Sequence, residues 1–264
     1  MLRTPPSRFV PVLSPRFPLD HLLAPYAARL CGHALISVPE LRHNPSFPPV
    51  PMPLWIDSGG YTLLSDPQAS VSEHSGLGHV TLGSGFTLTP QSVHDAQRGA
   101  HTGFTLDLPS TGSVTDTERR RRAQLSLNNA QWAFTQPRTG RLYASVQPGQ
   151  DLAPYLELHP DGIALGGLAP HSRDRDHLSR AVRHVRDQMP GGMPLHVFGL
   201  GHPESVRAAI RAGATSTDSS GPQRRAASGQ GWTPGAPLTD PAPHERLHLA
   251  VLNLQGSADA GDAA

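Results

Sequence analysis

Short apolar runs alternate with longer amphipathic stretches along the chain, a rhythm typical of strands that are followed by helices. Seven runs have the length and the branched or aromatic content of buried strands. The predicted strands are Ala34–Val38, Leu54–Asp57, Gly103–Asp107, Leu142–Gln147, Gly162–Gly166, Leu195–Gly199 and Ala214–Asp218. This pattern favours a parallel α/β sheet, closed or open.

Helix boundary signals lie between several of these strands. The sequence Thr115-Asp116-Thr117-Glu118 predicts a capping box. Prolines and glycines mark the ends of two further helical stretches. The predicted helices are Thr115 to about Phe134, Arg173–Gln188 and Pro203–Ala212.

The length of 264 residues suits one large α/β domain. Residues 1–18 are rich in proline and arginine, and we predict them to be an N-terminal segment outside the barrel-like domain of residues 19–254. Residues 219–243 are crowded with Gly, Pro, Ser and Gln and predict a long mobile loop. Residues 255–264 are small and polar and predict a disordered tail.

Composition narrows the classes of function. The formal net charge is +1, so a nucleic-acid surface would have to be a local patch. Arg119 to Arg122 form a basic run, which we interpret as a solvated helix face. No apolar run reaches the about 18 residues of a membrane span, and the N-terminus lacks the apolar core of a secretion signal. We therefore expect a soluble, cytoplasmic protein without membrane contact.

Metal and thiol chemistry find little support in the sequence. The single cysteine, Cys31, excludes an internal disulfide and a multi-cysteine zinc site, and we expect it to be a buried apolar side chain. The fifteen histidines are scattered, without metal-ligand spacing. We predict no metal site and no cofactor.

Polar or glycine residues follow the predicted strands where each strand ends. In a parallel barrel these ends open on one face, which holds the active site. Taken singly, such residues are ambiguous, because an aspartate at a strand end often only caps the following turn or helix. The strand-end residues are Asp57, Asp107, Gln147, Gly166, Gly167, Phe198 and Asp218. The glycine pair offers two bare backbone N–H groups that could bind a carbonyl oxygen.

Five motifs occur in the order found in the tRNA-guanine transglycosylase family (queuine and archaeosine tRNA-ribosyltransferases), which the sequence resembles from about Leu54 to Gly229. The resemblance rests on the ordered set, because no single motif is specific. It implies a single-domain (β/α)₈ TIM-type barrel. The motifs are Asp57-Ser-Gly-Gly-Tyr61, Val146-Gln147-x-Gly149, Gly166-Gly-Leu168, Gly199-Leu-Gly-x-Pro-Glu204 and Asp218-x-x-x-Pro222-x-Arg224.

The resemblance implies a role for each matching residue. Asp218 corresponds to the nucleophile that attacks C1′ of the target guanosine, and Asp57 to the residue that handles protons. Asp107 would bind the N1/N2 edge of the base, while Gln147 and the N–H of Gly167 would bind O6. The resemblance also implies that Tyr61 and Phe198 stack on the base. Ser58, Gly166 and Leu168 would line the base pocket. Arg224 and Arg225 would contact phosphates of the nucleic acid.

The sequence also departs from the family pattern. No cysteine follows Cys31, so the zinc element of three cysteines and a histidine is missing. Thr62, His196 and Ser219 stand where the family usually has glutamine, tyrosine and cysteine. The chain thus resembles a shortened branch without the zinc element, which includes relatives that insert 7-deazaguanines into DNA. The acceptor polymer stays open between DNA and tRNA.

Three functions remain compatible with these residues. The first is a pentosyltransferase that exchanges guanine for a 7-deazaguanine base. The second is a non-catalytic relative that serves as a subunit or as a nucleic-acid-binding partner. The third is a carboxylate-dependent N-glycosidase that uses water. The presence of both Asp57 and Asp218 favours catalysis. Whether the chain forms a homodimer or needs a partner subunit stays open.

Overall fold

The computed structural model describes residues 7–110, 114–233 and 236–264. Strands and helices alternate along most of this length. The strands are β1 Phe9–Pro11, β2 Ala34–Ser37, β3 Leu54–Asp57, β4 Ser70–His74, β5 Leu77–Thr81, β6 Thr87–Leu88, β7 Thr102–Phe104, β8 Arg141–Val146, β9 Gly162–Leu165, β10 Leu195–Val197 and β11 Ser216–Ser219. The helices are α1 Pro18–Leu30, α2 Val38–Leu41, α3 Thr62–Ser65, α4 Pro90–Ala96, α5 Asp116–Phe134, α6 Ala153–Leu156, α7 Arg175–Arg186, α8 Pro203–Arg211, α9 Gly221–Ala227 and α10 Pro243–Asp262, with a 3₁₀ turn at Ala169–His171.

Eight parallel strands form a barrel in the order β1-β11-β10-β9-β8-β7-β3-β2. The edge strands β1 and β2 meet through one parallel bridge, Val12 to Leu35, where the N–H of Leu13 donates a 2.9 Å hydrogen bond to the carbonyl of Leu35. The predicted (β/α)₈ TIM-type fold is therefore confirmed, as a nearly closed barrel with helices around it.

The inside of the barrel is a packed core. Trp55 lies at its centre, with its ring centroid 6.0 Å from Phe104, 5.9 Å from Tyr143 and 5.3 Å from His196. Apolar side chains of the other strands complete this layer. Because large rings fill the interior, a ligand site has to lie on the rim at the carboxyl ends of the strands.

All three predicted helices are present. Helix α5 begins directly after Thr115, whose Oγ1 accepts a 3.2 Å hydrogen bond from the N–H of Glu118. Helix α7 begins at Arg175, two residues later than predicted, because Asp174 caps it by accepting a 2.9 Å hydrogen bond from the N–H of His177. Helix α8 begins at Pro203, as its sequence indicates.

The N-terminal segment contains a strand of the barrel, which corrects the prediction that residues 1–18 lie outside it. Strand β1 pairs in parallel with β11, placing Phe9 beside Thr217 and Val10 beside Asp218. Phe9 and Val10 are fully buried. With three residues the strand is too short to show a periodicity, and the surrounding prolines conceal it.

The C-terminal region is also more ordered than its composition suggests. Helix α9 lies within the predicted loop of residues 219–243, and α10 runs through the predicted tail to Asp262. A side chain on Gly261 would have its Cβ 3.3 Å from the Cβ of Arg8. The small residues therefore allow α10 to pack closely against the start of the barrel, where composition alone suggested disorder.

A three-stranded antiparallel sheet, β4-β5-β6, lies between α3 and α4 and was not predicted. Its first turn uses Ser75 and Gly76, both with positive φ. Asn129 of α5 accepts a 2.8 Å hydrogen bond from the N–H of Gly78 and donates one of 3.1 Å to the carbonyl of Leu106. The sheet thereby supports the segment that leads to Asp107. Among the described helices, none is long and apolar enough to cross a bilayer.

Candidate active site

Three aspartates meet at the carboxyl ends of the barrel strands. Asp57 ends β3, Asp107 follows β7, and Asp218 lies in β11. Burial, together with the negative charges of Asp107 and Asp218, raises the pKa of Asp57 to about 7. Asp107 and Asp218 are thus close enough to influence Asp57, which can both hold and release a proton near neutral pH.

The turn after β3 holds Asp57 in place. The N–H of Gly59 donates a 3.0 Å hydrogen bond to Asp57 Oδ2, and the N–H of Gly60 donates one of 3.3 Å to the hydroxyl of the fully buried Ser58. Thr62, one of the expected departures from the resembled pattern, donates its hydroxyl to the carbonyl of Gly59 at 2.5 Å. Thr62 thus stabilises the turn that follows Asp57.

Gly60 packs directly on Asp107. A Cβ at position 60 would lie 2.5 Å from the backbone oxygen of Asp107 and 2.7 Å from its Oδ1. Real Cβ contacts do not become this short, so only glycine allows the two strand ends to approach. The second glycine of the Asp-Ser-Gly-Gly motif is therefore a packing requirement of the site.

Gln147, which directly follows β8, binds Asp107. Its Nε2 donates a 2.6 Å hydrogen bond to Asp107 Oδ2, while its backbone N–H is held by Gln150 Oε1 at 2.8 Å. Burial raises the pKa of Asp107 to about 6, and the bond from Gln147 opposes that rise. The sequence prediction that Asp107 and Gln147 lie together is thus met by a direct contact.

The Gly166-Gly167 pair covers the Gln147 amide. Gly167 has a φ of +72°, and a Cβ there would lie 2.8 Å from Gln147 Oε1. The N–H of Gly166 donates to the carbonyl of Val146 at 2.9 Å, so the expectation of two bare N–H groups is wrong for this glycine. Within the described residues the N–H of Gly167 has no hydrogen-bond acceptor, and Leu168 beside it is fully buried.

Asp218 is 5% exposed and is held by the neighbouring strand end. The N–H of Gly199 donates a 2.8 Å hydrogen bond to its Oδ1. His196 Nε2 lies 3.4 Å from the same oxygen. Ser219 uses its hydroxyl to accept a 2.9 Å hydrogen bond from the N–H of Gly221, at the start of α9. The sequence departure at Ser219 therefore serves the turn after Asp218.

The two predicted stacking rings differ in how they pack: Phe198 contacts the barrel core, and Tyr61 is exposed. The Phe198 ring lies 4.9 Å from Phe104 and 4.9 Å from His196, so it rests on the barrel core. Tyr61 is 64% exposed. No aromatic contact joins Tyr61 to Phe198 in the part of the chain described above.

Arg224 and Arg225 lie on α9, beyond Asp218, and both are exposed. Arg224 Nε donates to the hydroxyl of Ser220 at 2.9 Å. Burial raises the pKa of Asp20, and the charge of Arg224 opposes that rise. Arg225 Nε donates to the carbonyl of Gly231 at 2.7 Å, and its guanidinium lies 5.4 Å from the Trp232 ring centre. Arg225 therefore contacts the loop after α9 through both Gly231 and Trp232, whereas the Arg224 side chain binds Ser220.

Two residues of the site were missed in the sequence. Gln97 Nε2 donates to the carbonyls of Ile56 at 2.9 Å and Phe104 at 2.8 Å, so it joins β3 to β7 below the two aspartates. Ser216 lies 2.9 Å from His196 Nδ1. No motif marks Gln97. Ser216 lies two positions before Asp218 on the same strand, and this spacing indicates that both face the same side.

The zinc element of the resembled family does not fit these residues. Cys31 is the only cysteine of the sequence, and it is 1% exposed among apolar side chains, where burial raises its pKa to about 12. In the described ranges 7–110, 114–233 and 236–264, no three His, Cys, Asp or Glu side chains are grouped to hold a metal ion.

The chain is a (β/α)₈-type barrel protein with a cluster of aspartates at the carboxyl ends of its strands. A family model described as Queuine tRNA-ribosyltransferase matches residues 41–258, and the chain is a member of this tRNA-guanine transglycosylase family.

Curated relatives agree with the family model. The queuine tRNA-ribosyltransferase of Treponema denticola is 28% identical over 198 residues, covering 67% of this chain and 51% of the relative. That of Thiobacillus denitrificans is 25% identical over 191 residues, with 67% and 52% covered. That of Thioalkalivibrio sulfidiphilus is 28% identical over 195 residues, with 67% and 51% covered. The chain spans about half the length of these relatives.

Proposed function

We propose that this chain is a guanine base-exchange transglycosylase, a pentosyltransferase that replaces guanine in a nucleic acid with a 7-deazaguanine base. The observation that carries the proposal is the convergence of Asp57, Asp107 and Asp218 on one rim, with Gln147 bound to Asp107 at 2.6 Å. Membership of the family, and the name of its curated relatives, support exchange in tRNA as the reaction class.

The chemistry assigned to the rim is a double displacement. A carboxylate oxygen of Asp218 bonds to C1′ of the target nucleotide while the C1′–N9 bond breaks and its electron pair leaves with guanine. Asp57 donates the proton that the departing guanine needs. In the second displacement the N9 atom of the incoming base bonds to C1′ while the C1′–O bond to Asp218 breaks, and Asp57 removes the proton from that base. Its pKa of about 7 suits both directions, because each protonation state is populated near neutral pH.

Base recognition belongs to the next strand ends. The carboxylate of Asp107 accepts from the N1–H and N2–H groups of a guanine edge, and this paired contact defines a guanine-like ligand. One N–H of the Gln147 amide binds Asp107, which leaves the second for O6 together with the N–H of Gly167. The pocket walls and stacking faces are assigned to Ser58, Gly166, Leu168, Tyr61 and Phe198. Stacking contributes about 1–3 kcal/mol per base.

The acceptor is a nucleic acid whose target nucleotide leaves its stack to enter the rim. Arg224 and Arg225 are assigned to phosphates, which position a strand without reading its sequence. The name of the curated relatives favours tRNA as the acceptor, and DNA is the alternative. A homodimer or a partner subunit would supply further contacts. The test is therefore run on both polymers.

The experiment measures incorporation of isotope-labelled guanine into tRNA and into double-stranded DNA, with Asp218→Asn as the matched control. We expect label to enter one polymer with the parent chain and none with the variant. Release of guanine from a pre-labelled polymer without incorporation would instead identify an N-glycosidase. No incorporation and no release in either polymer would overturn the proposal in favour of a non-catalytic subunit.

A further inference from the structure

His196 is a fully buried histidine that faces Asp218 from the neighbouring strand. Its Nε2 lies 3.4 Å from Asp218 Oδ1, and its Nδ1 lies 2.9 Å from the hydroxyl oxygen of Ser216. No hydrogen bond satisfies Nε2 among the described residues. A buried polar atom without a partner is costly, so its direction towards Asp218 calls for an explanation.

The chemistry of the two neighbours determines where the ring carries its proton. An ionised carboxylate only accepts hydrogen bonds, so a bare lone pair on Nε2 would face negative charge. A hydroxyl can donate or accept, so Ser216 is able to donate to Nδ1. The favoured arrangement is therefore a directed chain, from the Ser216 hydroxyl to Nδ1 and from Nε2–H towards Asp218 Oδ1.

The surrounding rings keep the imidazole in this orientation. Its centroid lies 5.3 Å from Trp55, 5.3 Å from Phe104 and 4.9 Å from Phe198. The imidazole is fully buried among these rings. A displacement of about 0.5 Å would bring Nε2 to normal hydrogen-bond distance from the carboxylate.

Both donors approach the same oxygen of Asp218. The N–H of Gly199 binds Oδ1 at 2.8 Å, and His196 Nε2 faces Oδ1 as well. Oδ2 receives no hydrogen bond from the residues described here. The carboxylate is thus held by one oxygen, and the other is left for bonding to carbon.

We propose that His196 is a positioning residue for Asp218: in the Nε2–H tautomer fixed by Ser216, it donates to Oδ1 and presents Oδ2 to C1′ of the nucleotide. This inference rests on the proposed function. It also predicts an effect on the second displacement, because the same donors stabilise the carboxylate when the glycosyl ester breaks. Asp107 and Gln147, which are assigned to the guanine edge, lie on other strands, and His196→Phe keeps a ring on which the Phe198 ring can rest. His196 therefore acts on turnover and not on base affinity.

The kinetic test compares four variants in the guanine-exchange assay. His196→Phe keeps a flat ring and removes both nitrogens, and we expect kcat to fall about 10–100-fold with the KM for guanine changed by less than about twofold. His196→Gln retains a side-chain donor and should recover part of the loss. Ser216→Ala should lower kcat less than His196→Phe does. His33→Phe alters another buried histidine of the barrel, which binds the carbonyl of Phe9, and should keep the parental kcat.

Thermal unfolding of each variant separates loss of function from loss of fold. A parental kcat in folded His196→Phe, or a raised KM with unchanged kcat, would overturn the proposal. So would equal losses in folded His196→Gln and His196→Phe, because a donor at this position would then be irrelevant.

A second measurement needs no substrate. Nitrogen NMR of the full chain labelled with ¹⁵N-histidine reports the tautomer of each ring, and the His196 signal is identified by its loss in His196→Gln. We expect a protonated Nε2 and a bare Nδ1 in the parent, and a loss of this preference in Ser216→Ala. A protonated Nδ1 in the parent would refute the arrangement. Because this test is independent of turnover, an inactive parent with the expected tautomer would reject the proposed function and leave the His196–Asp218 pairing in place.

Discussion

Gln147 and Asp107 are joined by a 2.6 Å hydrogen bond between side chains from neighbouring strand ends. The bond occupies Asp107 Oδ2 and fixes the plane of the carboxylate. It also acts against burial, which otherwise raises the pKa of Asp107. One amide therefore controls both the orientation and the ionisation of the proposed base-binding group.

Base affinity should depend on pH through Asp107. Its ionised form accepts from the base, so affinity should be high above the pKa of about 6 and fall as the pH drops through that value. In Gln147→Leu the pKa-lowering bond is absent, so the midpoint should move to higher pH. Titration calorimetry with a 7-deazaguanine base between about pH 5 and 8 measures both midpoints. The control is Gln188→Leu, at an exposed glutamine just beyond the end of α7. An unmoved midpoint in Gln147→Leu would contradict this account.

Removal of the Asp107 carboxylate should weaken base binding directly. Hydrogen bonds to charged groups contribute about 1.5–3 kcal/mol, so Asp107→Ala should bind guanine roughly 10–100-fold more weakly. Asp218→Asn should keep the parental base affinity, because Asp218 is assigned to the sugar. The same calorimetric titration decides, and equal affinity in Asp107→Ala and the parent would refute the recognition role.

Gly60→Ala should displace Asp107 without unfolding the barrel. The new Cβ would lie 2.5 Å from the Asp107 backbone oxygen, so the aspartate has to move away from Gln147. Gly191→Ala is the matched control, since a Cβ there meets nothing within 4 Å. We expect base affinity to fall at least about tenfold in the first variant only, with thermal unfolding checked for both. Parental affinity in Gly60→Ala would show that the close approach is not required.

Stability should depend on pH through Asp20 of α1, which is 1% exposed. Burial raises its pKa from 3.8 to about 7, so the folded state binds this proton more tightly than the unfolded chain does. The resulting stabilisation is complete below about pH 4 and is lost as the pH rises through about 7, by at most on the order of 4 kcal/mol.

Asp20→Asn carries no charge and retains an oxygen for the N–H of Ser14, which binds Asp20 at 2.8 Å in the parent. We expect the variant to exceed the parent in free energy of unfolding at about pH 8 and to match it near pH 4. Urea unfolding at both pH values tests this, with the more exposed Asp95→Asn as control. A parent that is more stable than Asp20→Asn at pH 8 would contradict the assignment.

Arg224→Ala should weaken nucleic-acid binding regardless of sequence. Loss of one phosphate contact lowers the slope of log K against log salt by about 0.9 on duplex DNA and about 0.7 on single strands. Anisotropy titrations between about 50 and 200 mM salt measure it. Arg183→Ala, an exposed arginine of α7, should leave the slope unchanged. Equal slopes in Arg224→Ala and Arg183→Ala would show that Arg224 contributes only general positive charge and makes no specific phosphate contact at the rim.

The sequence predicted the barrel well wherever a buried run ended in a polar residue. Strand β3 was predicted with its observed bounds, and the other six predicted strands end within about three residues of their positions in the structure. The sequence pattern did not predict strand β1, because a strand of three residues is too short to show an alternation of apolar and polar positions. The sheet β4-β5-β6 escaped although Ser75-Gly76 is a recognisable turn, because its strands carry mixed polar and apolar residues on a half-exposed surface.

The site was predictable to the level of strand ends and no further. Asp57, Asp107, Gln147 and Asp218 converge because parallel strands share one carboxyl face. The contact of Gly60 with Asp107, and the order Ser216–His196–Asp218, depend on side-chain placement across strands that are distant in sequence. The same limitation explains Gly166, whose N–H continues the sheet and is not left for a ligand.

Val10 and Asp218 are register partners that come from opposite ends of the barrel sequence. Contacts of such long sequence separation are slow to form, because the intervening chain has to be ordered around them. The strand that carries Asp218 therefore gains its second neighbour only when the ring of strands closes. Recovery of turnover during refolding would then lag behind recovery of secondary structure, and the guanine-exchange assay would report the rate of barrel closure.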